Sequence, residues 1–254
     1  MADGKETRGE LERRFADTAK KMMFSNETAE WFRGEATTGQ LSAVCDLVDH
    51  ELGVREENKR ARLLKAARFP TLKSFDDFDF SDVALPAGYG TEEMRSLEFV
   101  EMAQDFVFYG GCGRGKTHLA TALGVLAAQR LMSVRFFGAA SLVLQLKAAK
   151  ADGSLDRLLS QIAKADLLIL DEFGYIPIDV EGARLLSQVM TATYETRSMI
   201  ITTNIEFSRW GTVLGDDRLA EALCDRIFHH GRLVEFGGQS KRLDNSLMMG
   251  KGKD

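Results

Sequence analysis

The sequence predicts an α/β fold in which helices flank a parallel sheet. Three observations predict it: short apolar strands alternate with helical segments between residues 106 and 236, a glycine-rich loop joins the first strand to a helix, and a later aliphatic strand ends in two acids. Strand–helix alternation produces a parallel sheet because each crossover helix packs back onto it. The polar stretch before residue 70 predicts a small helical domain, so we expect domains at residues 1–69 and 70–254.

The predicted N-terminal domain consists of helices. Apolar residues recur at helical spacing in two segments, Leu11, Phe15, Ala19 and Met22 in the first and Leu41, Val44, Leu47, Val48 and Leu52 in the second. A further helix is predicted over Arg55–Arg68 and ends before Pro70. Residues 74–80, SFDDFDF, show no helical period. We expect them to form an extended linker whose phenylalanines dock on the second domain.

The second domain shows the alternation from which the fold class is predicted. Helices are predicted at residues 91–102, 116–130, 140–150, 155–163, 181–194 and 218–229, and strands at 106–109, 133–137, 167–170, 199–203 and 232–236. The aliphatic run at 167–170 is typical of a strand buried on both faces of a parallel sheet.

Composition excludes several classes of protein. The chain has 254 residues, 44% of them hydrophobic, and a formal net charge of −5, which argues against a histone-like nucleic-acid binder. It has no apolar run long enough for a membrane span, and its charged N-terminus lacks a signal core. Cys45, Cys112 and Cys224 form no CxxC pair. Reduced thiols and a cytoplasmic location are therefore expected.

The glycine-rich loop predicts a phosphate-binding site. Residues 110–117, GGCGRGKT, fit G-x-x-x-x-G-K-[ST] between a strand and a helix. Glycines let main-chain N–H groups surround phosphate oxygens, and the helix presents its positive end to the same anion. Lys116 is expected to reach the β- and γ-phosphates of ATP, and Thr117 to bind Mg²⁺. The predicted nucleotide-binding residues are Gly110, Gly111, Cys112, Gly113, Arg114, Gly115, Lys116, Thr117 and His118.

Two later strands end in polar residues. Asp171 and Glu172 follow the aliphatic strand, at the edge of the sheet where the phosphate loop lies. Asp171 is expected to hold Mg²⁺ and Glu172 to activate the attacking water as general base. Asn204 follows the strand IITT and could orient that water, or it could cap the next turn.

Four segments resemble a known family in order and spacing. They are GKTHLA at 115–120, LILDEFGY at 168–175, IITTN at 200–204 and LAEALCDRIFHH at 219–230. Together they resemble the AAA+ ATPases and, more closely, the IstB family, the ATPase helper proteins of insertion-sequence transposition, which are relatives of the DnaC helicase loaders. The resemblance covers about residues 55 to 243. It implies an AAA+ P-loop NTPase fold.

The resemblance also implies roles for residues outside the loop. Asn204 matches a sensor-1 residue, and Arg226 matches the arginine finger that one subunit offers to its neighbour's γ-phosphate. Arg226 could instead form a helix-surface salt bridge with Glu221 or Asp225, and Arg218 is a second candidate for the finger. A finger of this kind implies an ATP-dependent homo-oligomer.

This sequence departs from the family pattern in two places. Gly111 and Cys112 stand where relatives usually carry proline and threonine, and Arg114 occupies a slot that is usually small or apolar. Arg114 is expected either beside the phosphates or in solvent, and Gly111 should loosen the loop. The short segment after Phe236 predicts a truncated or absent helical lid, with Arg242 as a possible replacement for its sensor-2 arginine.

The resemblance implies binding to DNA without base readout, most simply to duplex DNA. Lys59 and Arg60, in a basic stretch between Arg55 and Lys73, are candidate contacts, as are Lys147 and Lys150. Either pair could equally be an ordinary solvated helix face. His229 and His230 suggest a metal, but no third ligand stands near them in sequence, so packing or capping at the helix end is expected.

Three functions remain open at this point. The first is a DNA-binding ATPase that helps a transposase select its target and stimulates it. The second is a DnaC-like replicative helicase loader, and the third is a nucleotide-binding scaffold with weak hydrolysis. The catalytic core does not separate the first two, because the N-terminal helices would choose the partner.

Overall fold

The computed structural model describes residues 6–240. The chain divides into two compact units, Met1–Ala61 and Arg62–Asp254. The division falls inside helix α3 (Thr38–Ala67), a few residues before the boundary predicted from sequence. Arg242, the candidate sensor-2 replacement, lies outside the described residues.

The first unit is built from α1 (Arg8–Lys21), α2 (Asn26–Glu35) and most of α3. A capping box starts α1, in which the Thr7 main-chain N–H donates to Glu10 and the Thr7 hydroxyl accepts from the Glu10 N–H. The side chains buried together are Leu11, Phe15, Ala19, Ala36, Leu41 and Cys45. The predicted pattern is confirmed for Leu11, Phe15, Ala19 and Leu41, but it is wrong for Leu47, which is exposed on the outer side of α3.

One long helix, α3, replaces the two helices predicted between Leu41 and Arg68, and α2 was not predicted. No proline interrupts the junction. Two ion pairs between residues four positions apart lie across this junction, Glu51 with Arg55 at 2.7 Å and Glu56 with Arg60 at 2.9 Å. Pairs four residues apart stabilise a continuous helix, which explains why α3 does not break there.

The second unit contains a six-stranded sheet in the order β1-β6-β2-β5-β4-β3. Its strands are β1 (Val83–Ala84), β2 (Asp105–Gly110), β3 (Val134–Gly138), β4 (Leu167–Phe173), β5 (Ser198–Thr203) and β6 (Gly231–Phe236). Strands β2 to β6 run parallel, as predicted, and the short β1 pairs antiparallel with β6. Because β5 lies between β2 and β4, the ends of these three strands meet at one edge.

Helices flank this sheet. They are α4 (Thr91–Ser96), α5 (Glu98–Glu101), α6 (Lys116–Gln129), α7 (Ala139–Ala151), α8 (Leu155–Ala163), α9 (Val180–Thr193), α10 (Trp210–Leu214) and α11 (Asp217–His230). The helix predicted at 91–102 is split in two, because the buried Leu97 adopts a left-handed φ of 63°. Helix α10 was not predicted, and its Trp210 packs on Phe173 in the core. Between residues 6 and 240, no helix has both the length and the apolar character that crossing a bilayer requires.

Apolar side chains form a core on each face of the sheet. Alternate residues of a strand point to opposite faces, and accordingly Leu168 and Leu170 pack with α7 and α9 while Ile169 packs with α6. Phenylalanines of the linker, including Phe75, Phe78 and Phe80, join the core that contains α6. The expected docking of these aromatics is therefore confirmed.

A buried carboxyl joins the starts of two central strands. Asp105 accepts a hydrogen bond of 2.7 Å from the main-chain N–H of Met199, which ties β2 to β5. Its side chain is buried among the strands, and this burial raises the pKa of Asp105 from its usual 3.8 to about 6. The ionised form is thus costly in the folded state.

We expect Asp105→Asn to stabilise the protein at neutral pH, because it keeps an oxygen for Met199 and removes the buried charge. A raised carboxyl pKa means that the folded state holds the proton more tightly, so wild-type stability falls as the pH rises from 3.8 to about 6. The variant should gain up to about 3 kcal/mol at pH 8 and almost nothing near pH 3.5. Urea unfolding at both pH values measures this, with Asp156→Asn, an exposed aspartate of α8, as control. A gain that does not change with pH would contradict the assignment.

Candidate nucleotide-binding site

The loop between β2 and α6 needs glycine for two reasons. Gly110, Gly113 and Gly115 have φ angles of 152°, 76° and 96°, a region that other residues rarely adopt. A Cβ on Gly110 would also lie 2.3 Å from the carbonyl oxygen of Phe236, at the end of β6. The loop can therefore turn tightly and present its main chain toward a bound anion.

Lys116 is held inside this loop. Its side chain is buried, and its Nζ donates hydrogen bonds to the carbonyl oxygens of Gly110 (2.7 Å) and Gly111 (2.8 Å). These contacts place a positive charge at the N-terminus of α6, where the helix dipole is also positive. The arrangement fits the predicted contact of Lys116 with nucleotide phosphates.

The two predicted Mg²⁺ ligands lie together. The Thr117 hydroxyl donates to Asp171 Oδ1 at 2.9 Å, and the Thr202 hydroxyl donates to the same oxygen at 2.5 Å. Hydroxyl and carboxylate oxygens are the donor set that Mg²⁺ prefers beside substrate phosphates. Thr202 was given no role from the sequence, although it stands in the IITTN segment on the strand that separates β2 from β4.

Glu172 is turned toward the same edge by an irregular strand end. The pairing of β4 with β5 shifts register between Leu170 and Phe173, and Glu172 has a left-handed φ of 59°. Its main-chain N–H donates to the Thr202 hydroxyl at 3.0 Å, while its side chain is exposed. An unusual backbone held by a specific hydrogen bond is common at functional sites. The backbone conformation of Glu172 places this predicted general base beside the predicted Mg²⁺ ligands.

Arg114 ties the loop to the end of β6. Its Nη1 donates to the Phe236 carbonyl oxygen at 3.2 Å, and its guanidinium covers Gly111 so closely that a Cβ there would lie 2.8 Å from Arg114 Nε. Arg114 is half-buried, so it does not simply point to solvent. This contact opposes the loosening of the loop that is expected from Gly111.

A cavity of about 930 Å³ lies over the loop. It is lined by Gly113 to His118, Asp171, Glu172 and Tyr175, and also by the linker residues Pro70, Thr71, Lys73, Asp77, Phe78 and Asp79. The volume is within the range usual for small-molecule sites, about 300–1,000 Å³. The Phe78 ring lies 3.0 Å from where a Gly115 Cβ would be and 5.3 Å from the His118 ring. Sequence reasoning expected the linker to dock but did not place it in the site.

A model of the family described as IstB-like ATP binding protein matches residues 21–248. The chain belongs to this family. It is 41% identical over 197 residues to an ATP-binding protein of insertion sequence IS232 from Bacillus thuringiensis subsp. berliner, covering 78% of this chain and 79% of the relative. It is 36% identical over 207 residues to the corresponding protein of IS21 from Pseudomonas aeruginosa, covering 82% and 78%. The chain is thus a member of the family of IstB-like ATP-binding proteins, as the resemblance implied.

Solved structures confirm the predicted AAA+ fold. AMPPCP-bound DnaA from Aquifex aeolicus superposes with a TM-score of 0.53 and 18% identity over 70% of this chain and 54% of that one. DnaI superposes with a TM-score of 0.51 and 19% identity over 71% and 93%. At these identities the likeness concerns the fold alone.

Asn204 of this IstB-like chain reaches the phosphate loop. Its Nδ2 lies 3.6 Å from Cys112 Sγ, which lies 3.6 Å from the Tyr175 hydroxyl. The next turn is a short 3-10 helix over Phe207–Arg209, and Glu206 stands at its N-cap position, so Asn204 does not cap it. Burial, and then the contact with Cys112, raise the pKa of the Tyr175 phenol. A protonated phenol and an amide thus stand beside the loop.

Arg226 is absent from the residues that line this cavity. Its Nη1 donates to the Thr191 hydroxyl at 2.6 Å, and its guanidinium lies 5.9 Å from the centre of the Tyr194 ring. Among the described residues, no ion pair joins it to Glu221 or Asp225, so the salt-bridge alternative is not the one observed. Arg218, the second candidate, is exposed in the first turn of α11.

The candidate DNA contacts are mostly paired with acids. Lys147 Nζ lies 2.6 Å from Asp179, and Lys150 Nζ lies 2.6 Å from Glu181, both at the start of α9. In the first unit, Arg60 pairs with Glu56 while Lys59 is exposed. Exposed pairs exchange readily with other partners because each is worth only about 0–1 kcal/mol.

We expect Phe78→Leu to weaken ATP binding, because it removes the ring that packs on Gly115 and His118. The affinity for a fluorescent ATP analogue should fall about three- to tenfold, since aromatic contacts of this kind contribute about 0.5–1.5 kcal/mol. Phe80→Leu is the matched control, because Phe80 belongs to the same aromatic cluster and does not line the cavity. Equal losses in both variants would show that the effect is one of packing only.

Proposed function

We propose that this protein is a Mg²⁺-dependent ATPase that assembles on DNA as an oligomer and assists transposition by selecting target DNA and stimulating a transposase. The observation that carries the proposal is the network around Asp171, where Thr117, Thr202 and the Glu172 main chain converge beside Lys116. These are the residue types that a site for phosphoryl transfer to water requires. The relatives of the chain, which are ATP-binding proteins of insertion sequences, support the same proposal.

Each residue of the site has a distinct part in the proposed reaction. Lys116 and the loop N–H groups neutralise the β- and γ-phosphates. Thr117 and Asp171 would hold Mg²⁺, which would screen the charge on the phosphate oxygens. Glu172 takes a proton from the attacking water, and Asn204 orients that water. Tyr175 and Cys112 contact each other beside this group.

Arg226 acts on a neighbouring subunit in this proposal. Its position outside the cavity of its own chain supports a role in trans. Exposed apolar residues include Tyr175 and Ile176 near the loop and Phe228 on α11, the helix that carries Arg226. Burying these side chains between subunits would favour assembly, because it removes apolar surface from water.

Mixing two inactive variants tests the shared site. Glu172→Gln leaves the arginine intact and Arg226→Ala leaves the base intact, so each should lose hydrolysis alone, by about a thousandfold for Arg226→Ala. In an equal mixture about a quarter of the interfaces of a cyclic assembly pair an intact base with an intact arginine. ATPase activity should therefore recover to a comparable fraction of wild type.

Two further variants make this experiment specific. Arg157→Ala, at an exposed position of α8, should keep wild-type activity. If Arg226 is the finger, Arg218→Ala should hydrolyse ATP by itself. Mixing it with Glu172→Gln should then add no activity beyond that of Arg218→Ala alone. A mixture of Glu172→Gln and Arg226→Ala that stays inactive at high protein concentration rejects a shared site.

DNA binding is proposed through the backbone of duplex DNA. The exposed basic residues Lys59, Arg62, Lys65 and Arg68 support it, although the overall charge is negative. Lys147 and Lys150 would have to exchange their acidic partners for phosphates. Contacts of this kind make affinity fall steeply with salt and carry no base readout.

We expect Glu172→Gln with ATP to form a long-lived complex with duplex DNA, because the variant binds ATP and cannot activate water. The measurement is the dissociation rate from fluorescent duplex and single-stranded DNA at several salt concentrations. A preference for single strands would favour a helicase loader. A lifetime equal to that of wild type would favour a nucleotide-binding scaffold, and salt-insensitive affinity would contradict backbone binding.

A further inference from the structure

A cluster of possible metal ligands lies at the C-terminal end of α11, apart from the nucleotide site. His229 and His230 are its last two residues, and Glu195 follows α9 on the neighbouring chain segment. The sequence offered the histidines no third ligand nearby, because Glu195 stands more than thirty residues earlier. The packing of α9 against α11 supplies it.

The geometry of the three side chains suits a small tetrahedral ion. His230 Nε2 lies 3.0 Å from Glu195 Oε1, His229 Nδ1 lies 3.9 Å from the same oxygen, and the ligand atoms of all three lie within 4.8 Å of one another. Zinc bonds of about 2.0–2.2 Å at the tetrahedral angle separate ligand atoms by about 3.3–3.6 Å. The observed separations bracket this value, so small side-chain rotations would close the site.

The charges around the cluster also favour a cation. The C-terminal end of a helix carries a partial negative charge, and α11 ends at these histidines. The Tyr194 hydroxyl, 3.1 Å from His229 Nδ1, adds a further oxygen on the same side.

We propose that His229, His230 and Glu195 form a binding site for a divalent transition-metal ion, with Zn²⁺ the best match to two imidazoles and one carboxylate. Mg²⁺ fits poorly, because it requires oxygen ligands in an octahedral arrangement. Glu195 and His229 are exposed and His230 is half-buried, so an ion from solution can reach them.

The location gives the site a consequence that rests on the proposed role of Arg226. The Arg226 guanidinium lies over the Tyr194 ring, whose hydroxyl contacts His229. An ion bound to His229 Nδ1 takes the lone pair that the Tyr194 hydroxyl contacts, so it changes the surroundings of Tyr194 and with them the support of Arg226. Metal would thus bias the face that is proposed to meet the neighbouring subunit.

Titration of the full chain with Zn²⁺, with any affinity tag removed and no nucleotide present, tests the site. Isothermal calorimetry should give one site per chain in the wild type. Affinity should fall at least about tenfold in His230→Ala and in Glu195→Gln, since each removes one ligand. His50→Ala, which changes an exposed histidine of the first unit, should bind as the wild type does.

Co²⁺ separates this site from binding by a cysteine. The expected complex shows ligand-field absorption without a thiolate charge-transfer band, and the absorption is lost in Glu195→Gln. A thiolate band, or equal Zn²⁺ affinity in all four proteins, would overturn the proposal. Neither titration depends on hydrolysis or assembly. The metal site can therefore be rejected without rejecting the proposed ATPase, and the ATPase can be rejected without rejecting the metal site.

Discussion

The carboxylate of Asp171 connects the parts of this protein that must meet. It accepts hydrogen bonds from Thr117, at the start of α6, and from Thr202, on β5, while belonging itself to β4. The phosphate loop, the acidic strand and the strand between them are thereby joined at one oxygen atom. A side chain buried in this way keeps its geometry only while its donors stay in place, so the strand order and the site depend on each other.

Around that centre, the loop is supported by elements that lie far away in sequence. Phe236 and Arg114 close one side, through the carbonyl contact that also explains why positions 110 and 111 are glycine. Phe78 closes the other side by packing on Gly115 and His118. These tertiary contacts therefore offset the conformational entropy that the glycine-rich loop loses when it becomes ordered.

In the proposed assembly, the phosphate loop of one copy of the chain and the α11 helix of the next would contribute to one site. The cavity contains the residues proposed to hold phosphates and to activate water, whereas Arg226 contacts Thr191 and Tyr194 elsewhere. A guanidinium held in advance on an aromatic ring needs little reordering to reach a partner. The nearby histidines and Glu195 would add a means of adjusting that surface.

The sequence by itself determined the features that are local or periodic. The pattern of residues 110–117, the aliphatic run before Asp171 and the strand–helix alternation predicted a parallel sheet with a phosphate loop, and the resemblance of the motifs implied the AAA+ fold. Only the tertiary structure decided which distant residues meet. Thr202 on Asp171, Phe78 on the loop, the acids beside Lys147 and Lys150, and Glu195 beside the histidines all join residues about thirty or more positions apart. Such contacts arise from the packing of strands and helices against one another, which no local pattern contains.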